Sequence, residues 1–113
     1  MTVGRSGDRE YTIVVMQHQA EARIIGSDVL IRDMARATGR AFLTLPCREC
    51  RADCWVAPES LNAAQPRPWP VCLGCFGRAL ERFDNMDDEA REHGRRLSEV
   101  YKETLRQRRE PAR

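Results

Sequence analysis

The sequence predicts an α+β fold, and three observations predict it. A β-branched run, Tyr11-Thr12-Ile13-Val14-Val15-Met16, reads as a strand near the start of the 113-residue chain. Two Cys-x-x-Cys pairs, Cys47-Arg48-Glu49-Cys50 and Cys72-Leu73-Gly74-Cys75, occupy its middle and have to be brought together by folding. Apolar residues then recur at helical spacing, from Phe76 and again from Met86 toward the C-terminal end.

Taken in order, residues 1–9 are polar and contain two glycines, the composition of a disordered N-terminus. The strand follows over residues 11–16, with a helix from Glu10 to Ile25 as the competing assignment. Gly26-Ser27 is a break. Ser27 suits an N-cap, Asp28 the first turn and Gly39 the end of a helix over Asp28–Thr38. Its apolar face, Val29, Leu30, Met34, Ala35 and Ala37, is expected to pack on the rest of the chain. These elements make an N-terminal segment over residues 10–40.

A central segment over residues 41–84 opens with a short strand, Ala41 to Leu45, leading into Pro46-Cys47. Ala52 to Ala57 reads as a second strand. Pro58 to Pro70, with Pro66 and Pro68 between, reads as a stiff loop that returns the chain to Val71-Cys72. Phe76, Ala79, Leu80 and Phe83 then follow the i, i+3, i+4, i+7 spacing of a helix. The last segment, residues 85–113, is a long helix capped by Asp84 or Asn85. Met86, Ala90, Leu97, Val100, Tyr101 and Leu105 form its stripe, down to about Arg108, with a basic tail beyond. Its acids at the start and arginines at the end suit the helix dipole. Gly94 weakens it by roughly 1 kcal/mol relative to alanine.

Composition narrows the function. Aromatic residues are 6% of the chain, so the apolar core is thin and a structural metal would add to stability. A net charge of +2 is not the composition of a dedicated nucleic-acid binder, which usually carries a clear basic excess. No run of about 18 apolar residues is present to span a membrane. The N-terminal residues carry no secretion pattern, so the cytoplasm is the expected location, where paired cysteines bind metal rather than form disulfides.

Two residues between cysteines let both thiolates point inward from one tight turn, and a second pair completes a tetrahedron. Cys47, Cys50, Cys72 and Cys75 are therefore the expected ligands of one Zn²⁺, with Zn–S distances near ~2.3 Å. Four thiolates leave no open position for water, which makes the site structural rather than catalytic. Cys54, the fifth cysteine, has three readings: a packed side chain, a replacement for Cys50, or a redox-sensitive thiol.

The local order is a turn with the first pair, strand, loop, strand, then the second pair opening a helix. It resembles the treble-clef family of four-cysteine zinc modules over roughly residues 41–83, with a zinc ribbon as the alternative. The resemblance implies a first pair in a knuckle before a β-hairpin and a second pair at a helix start. Arg51 departs from it, because such knuckles often have glycine after the second cysteine, and so does the proline-rich loop. The fold expected is thus α+β: a small zinc-bound treble-clef-like centre, an N-terminal strand and helix, and a long C-terminal helix.

The resemblance leaves function open. The expected function is a non-enzymatic adaptor or regulator that docks on a larger machine, with RNA polymerase or the ribosome as targets by fold analogy. Candidate partner-binding residues are Arg48 and Arg51 on the knuckle, Trp55 and Trp69 flanking the loop, and Arg78 and Arg82 on the following helix. A direct nucleic-acid binder using those arginines is the alternative, and a redox-sensitive thiol switch a third. The C-terminal helix offers a route to self-association. His18 and His93 are isolated and read as surface side chains, and no catalytic constellation stands out.

Overall fold

The structure, a computed structural model, describes residues 2–109. Residues 110–113 of the expected basic tail lie outside the described residues. The order is β1 (Thr2–Ser6), β2 (Arg9–His18), α1 (Gln19–Ile25), α2 (Ser27–Thr38), β3 (Leu43–Pro46), β4 (Asp53–Val56), α3 (Pro58–Asn62), β5 (Pro68–Cys72), α4 (Leu73–Leu80) and α5 (Asp88–Arg109). The sheet is mixed, and with its helices and long C-terminal helix the chain has the α+β class that the sequence predicts.

β2 is the axis of the sheet. Its early residues pair antiparallel with β1, its middle pairs parallel with β5, and Gln17 and His18 pair antiparallel with β4. β3 completes the order beyond β4. The segments 10–40 and 41–84 therefore share one sheet and one core, in which Ile13, Val14 and Met16 meet Val56, Val71 and the cysteines.

Several elements differ from expectation. The N-terminal stretch expected to be disordered supplies a strand within its described residues, 2–9, because Thr2–Ser6 finds a partner in β2 and the turn after it is tied down from afar. Asp84 and Asn85, expected to cap α5, do that tying. Asn85 accepts from the Arg5 N–H and donates to the Val3 carbonyl, while Asp84 accepts from the Gly7 N–H. Asp87 caps α5 instead, accepting from the Ala90 N–H at 2.8 Å. The competing helix survives only as α1, where His18 Nδ1 accepts the Glu21 N–H as N-cap. Ser27 does not cap α2. Gly26 does so, at φ 83°, a left-handed conformation that also ends α1.

The expected loop from Pro58 to Pro70 contains α3 and β5. Prolines fit β5 because they alternate. The Thr12 N–H donates to the Arg67 carbonyl at 2.7 Å, so odd-numbered peptide groups face β2. Pro66, Pro68 and Pro70 take the other parity, where no ladder N–H toward β2 is lost. The Pro70 carbonyl instead accepts the Arg48 N–H from the opposite side, at 2.9 Å.

On α5 the buried positions are Gly94, Ser98, Tyr101 and Leu105. Leu97 and Val100, expected in the stripe, are 41% and 66% exposed. The reason is the close crossing of α4 and α5. A Cβ at Gly77 would lie 2.9 Å from the Gly94 carbonyl oxygen, and one at Gly94 would lie 2.2 Å from Leu80 Cδ1. Gly94, which weakens the helix alone, is what lets it dock. Gly77→Ala is expected to destabilise the chain by about 1–3 kcal/mol in urea unfolding, because overpacking against backbone cannot relax by a rotamer change.

Candidate metal centre

The first cysteine pair sits in the turn between β3 and β4. The Cys47 N–H donates to the Ala52 carbonyl and the Arg51 N–H to the Cys47 carbonyl, each at 2.9 Å, which closes the turn. Arg51 is at φ 67°, a left-handed conformation that costs a side-chain-bearing residue roughly 1–2 kcal/mol. The sequence departs from glycine at the position where the knuckle needs one.

The second pair spans the end of β5 and the first turn of α4. Cys72 is the N-cap residue and Cys75 lies one turn in. The arrangement between the pairs is not the hairpin implied by the resemblance, because β4 pairs with β3 and β2 while β5 pairs parallel with β2. Two contacts join the halves: the bond from Arg48 to Pro70, and the Cys72 N–H pointing at Cys47 Sγ at 3.4 Å.

The result is a cluster of four Sγ atoms all within 4.8 Å of one another. Cys50 and Cys72 Sγ are 4.0 Å apart. A tetrahedron with metal–sulfur bonds near ~2.3 Å has edges of about 3.8 Å, so the four thiols fit a metal ion with little movement. Cys47 and Cys72 are buried, Cys75 is half-buried and Cys50 is exposed.

The thiols differ in acidity. Burial pushes the Cys47 thiol up, but the backbone N–H groups of Cys50, Cys72 and Glu49 outweigh it and bring its pKa to about 7. Cys72 is raised well above the usual thiol range by its hydrogen bond with Cys54, by burial and by the charge of Cys47. Burial, then the charge of Cys72, raises Cys75. Cys54 is fully buried beside the cluster but outside the set of four.

The other candidate residues are placed differently from one another. Trp69 is buried, in edge-to-face contact with Tyr11 and Phe83 at 4.8 and 4.9 Å. The Arg48 guanidinium covers it, 3.6 Å from the ring centroid. Arg82 makes a two-point ion pair with Glu49 at 3.0 and 3.1 Å, tying the end of α4 to the knuckle. Arg48 and Arg82 are thus occupied within the fold. Arg51 and Arg78 are exposed, and neither has an ion pair among the described residues. Trp55 is half-buried on β4, opposite Gln17 and Thr44. His93 is exposed on α5. The sequence pattern did not point to Glu49, Ser98 or Gly77, which support the site through contacts across the fold.

No protein-family model, no curated protein and no solved structure matches this chain.

Arg51→Gly is expected to stabilise the chain by about 0.5–1 kcal/mol, part of the relieved strain being offset by the greater freedom of glycine when unfolded. Thermal unfolding of the two chains in the same metal buffer measures it. Because Cys72 and Cys75 are held protonated without metal, metal uptake is expected to release protons and to weaken as pH falls. Calorimetry in two buffers of different ionisation heat counts those protons.

Proposed function

We propose that this chain is a non-enzymatic zinc protein whose working surfaces are held in place by one structural Zn²⁺. Cys47, Cys50, Cys72 and Cys75 would hold the ion. When bound it supplies a crosslink between the β3–β4 turn and α4, and four thiolates leave no position for substrate or water. The knuckle followed by a pair at a helix start supports a treble-clef-like reading, without its central hairpin.

The function proposed for those surfaces is adaptor binding to a protein partner. The observation that carries it is α2. This twelve-residue helix is amphipathic, yet no residue of it is buried. Val29, Leu30 and Met34 are 54%, 61% and 49% exposed. Beside it lies a groove of about 390 Å³ lined mainly by Met34, Ala41, Phe42, Ala57 and Pro58, with the Arg40–Glu59 ion pair at its rim. An apolar helix face beside an apolar groove suits a partner segment that offers large aliphatic or aromatic side chains and few charges. Direct nucleic-acid binding draws less support, because two of the four candidate arginines are engaged within the fold.

Purified protein is expected to carry about one zinc per chain, and Cys72→Ser to lose both metal and fold. Folded, metal-free wild type would sink the zinc reading. For the adaptor, the double variant Leu30→Asp, Met34→Asp should keep zinc and fold while losing a host protein that binds purified wild type directly. Binding of that protein to both chains alike would remove α2 from the interface. Salt-sensitive binding of mixed DNA or RNA would favour the alternative instead.

A further inference from the structure

Cys75 projects from the first turn of α4, between Leu73 and Gly77. The Leu73 carbonyl and the Gly77 N–H are four residues apart, the acceptor and donor of one α-helical rung. Ser98, from the middle of α5, engages both. Its hydroxyl accepts from the Gly77 N–H at 2.9 Å and donates to the Leu73 carbonyl at 2.9 Å. Ser98 is 4% exposed, and it reaches this rung because Gly77 and Gly94 let the two backbones touch.

One turn further along α5, Tyr101 covers the same stretch. A Cβ on Gly74 would lie 3.8 Å from the Tyr101 ring, and the Tyr101 hydroxyl is anchored by donating to Glu21 at 3.0 Å. The turn Leu73-Gly74-Cys75 is thus held from α5 at two points. Packing alone does not call for a hydroxyl at position 98. Alanine would nearly fill the same space and would favour the helix of α5. What serine adds is the pair of hydrogen bonds to α4.

We propose that Ser98 is a positioning residue of the metal centre, fixing the α4 turn from which Cys75 reaches the other three thiols. The inference rests on the zinc reading above. Outer residues that orient metal ligands typically alter affinity by 10–100-fold when removed. The coupling is reciprocal, so metal loading steadies the part of α5 around Ser98 to the same degree that Ser98 steadies the metal.

The test uses the full chain loaded with Co²⁺, whose visible absorption reports thiolate geometry, and Zn²⁺ competition against a chromophoric chelator. Ser98→Ala is expected to weaken Zn²⁺ binding about tenfold and to shift the Co²⁺ bands. Leu105→Ala, which removes a buried side chain two turns along α5 from Ser98, is expected to lower stability and leave the bands unchanged. Wild-type affinity and spectrum in Ser98→Ala would overturn the proposal. So would a Leu105→Ala chain with the same spectral shift, since that effect would be general loosening. If Ser98→Ala does not fold, hydrogen exchange in wild type decides. Metal loading should slow amide exchange over residues 94–101, and unchanged exchange there overturns the proposal. A wild-type chain that takes up no metal overturns the zinc reading and this inference with it, a result distinct from a loaded wild type with an indifferent variant.

Discussion

The knuckle and β5 meet through two hydrogen bonds, and the rest of the arrangement depends on that meeting. The Arg48 N–H reaches the Pro70 carbonyl, and the Cys72 N–H points at Cys47 Sγ. Each bond joins one cysteine pair to the strand or turn that carries the other. Without them the two pairs are local turns with no shared centre. With them, four thiols converge, Trp69 is drawn under Arg48, and α4 starts at the place where its first turn faces the knuckle. The Arg82–Glu49 ion pair closes the same joint from the far end of α4. Much of its partner is out of water, since the Glu49 side chain is 6% exposed. The exposed arginine limits what the pair adds to stability.

Much of this was legible in the residues. β-Branched spacing located β2, cysteine spacing located the four thiols that cluster, and the acidic-to-basic order marked α5. What stayed hidden depends on contacts distant in sequence. Thr2–Ser6 has the composition of a tail and becomes a strand only because β2 and residues 84 and 85 accept it. The prolines of β5 read as strand-breaking until the side facing β2 is known. Leu97 looks like a core residue and Gly94 like a flaw, but two helices whose backbones touch exclude the large side chain and require the small one. A periodicity argument weighs hydrophobicity, and here the contact is decided by size.

The same crossing explains why α2 and α5 differ in character although both are amphipathic. α5 lies against α4 and α1 through small and aromatic residues, and Ser98 and Tyr101 are hydrogen-bonded at the contact. α2 carries larger apolar residues and buries none of them. Its ends are fixed by left-handed Gly26 and Gly39 rather than by packing. Loss of α2 from the body would cost little buried area. The reverse holds for α5, whose displacement would uncover Leu80 and the first turn of α4.

The alternating prolines of β5 have a further effect, on solubility. A sheet margin with regularly spaced free amide hydrogens is a template on which another chain can add a strand. On the side of β5 turned from β2, residues 66, 68 and 70 have no amide hydrogen to offer, and the knuckle occupies the Pro70 carbonyl. At the β3 margin, the strand is four residues long and ends in Pro46. A small domain with exposed valines on its sheet thus keeps its β5 and β3 margins poor in donors, while Asn85 bonds to β1 at the third, which guards it against stacking into aggregates.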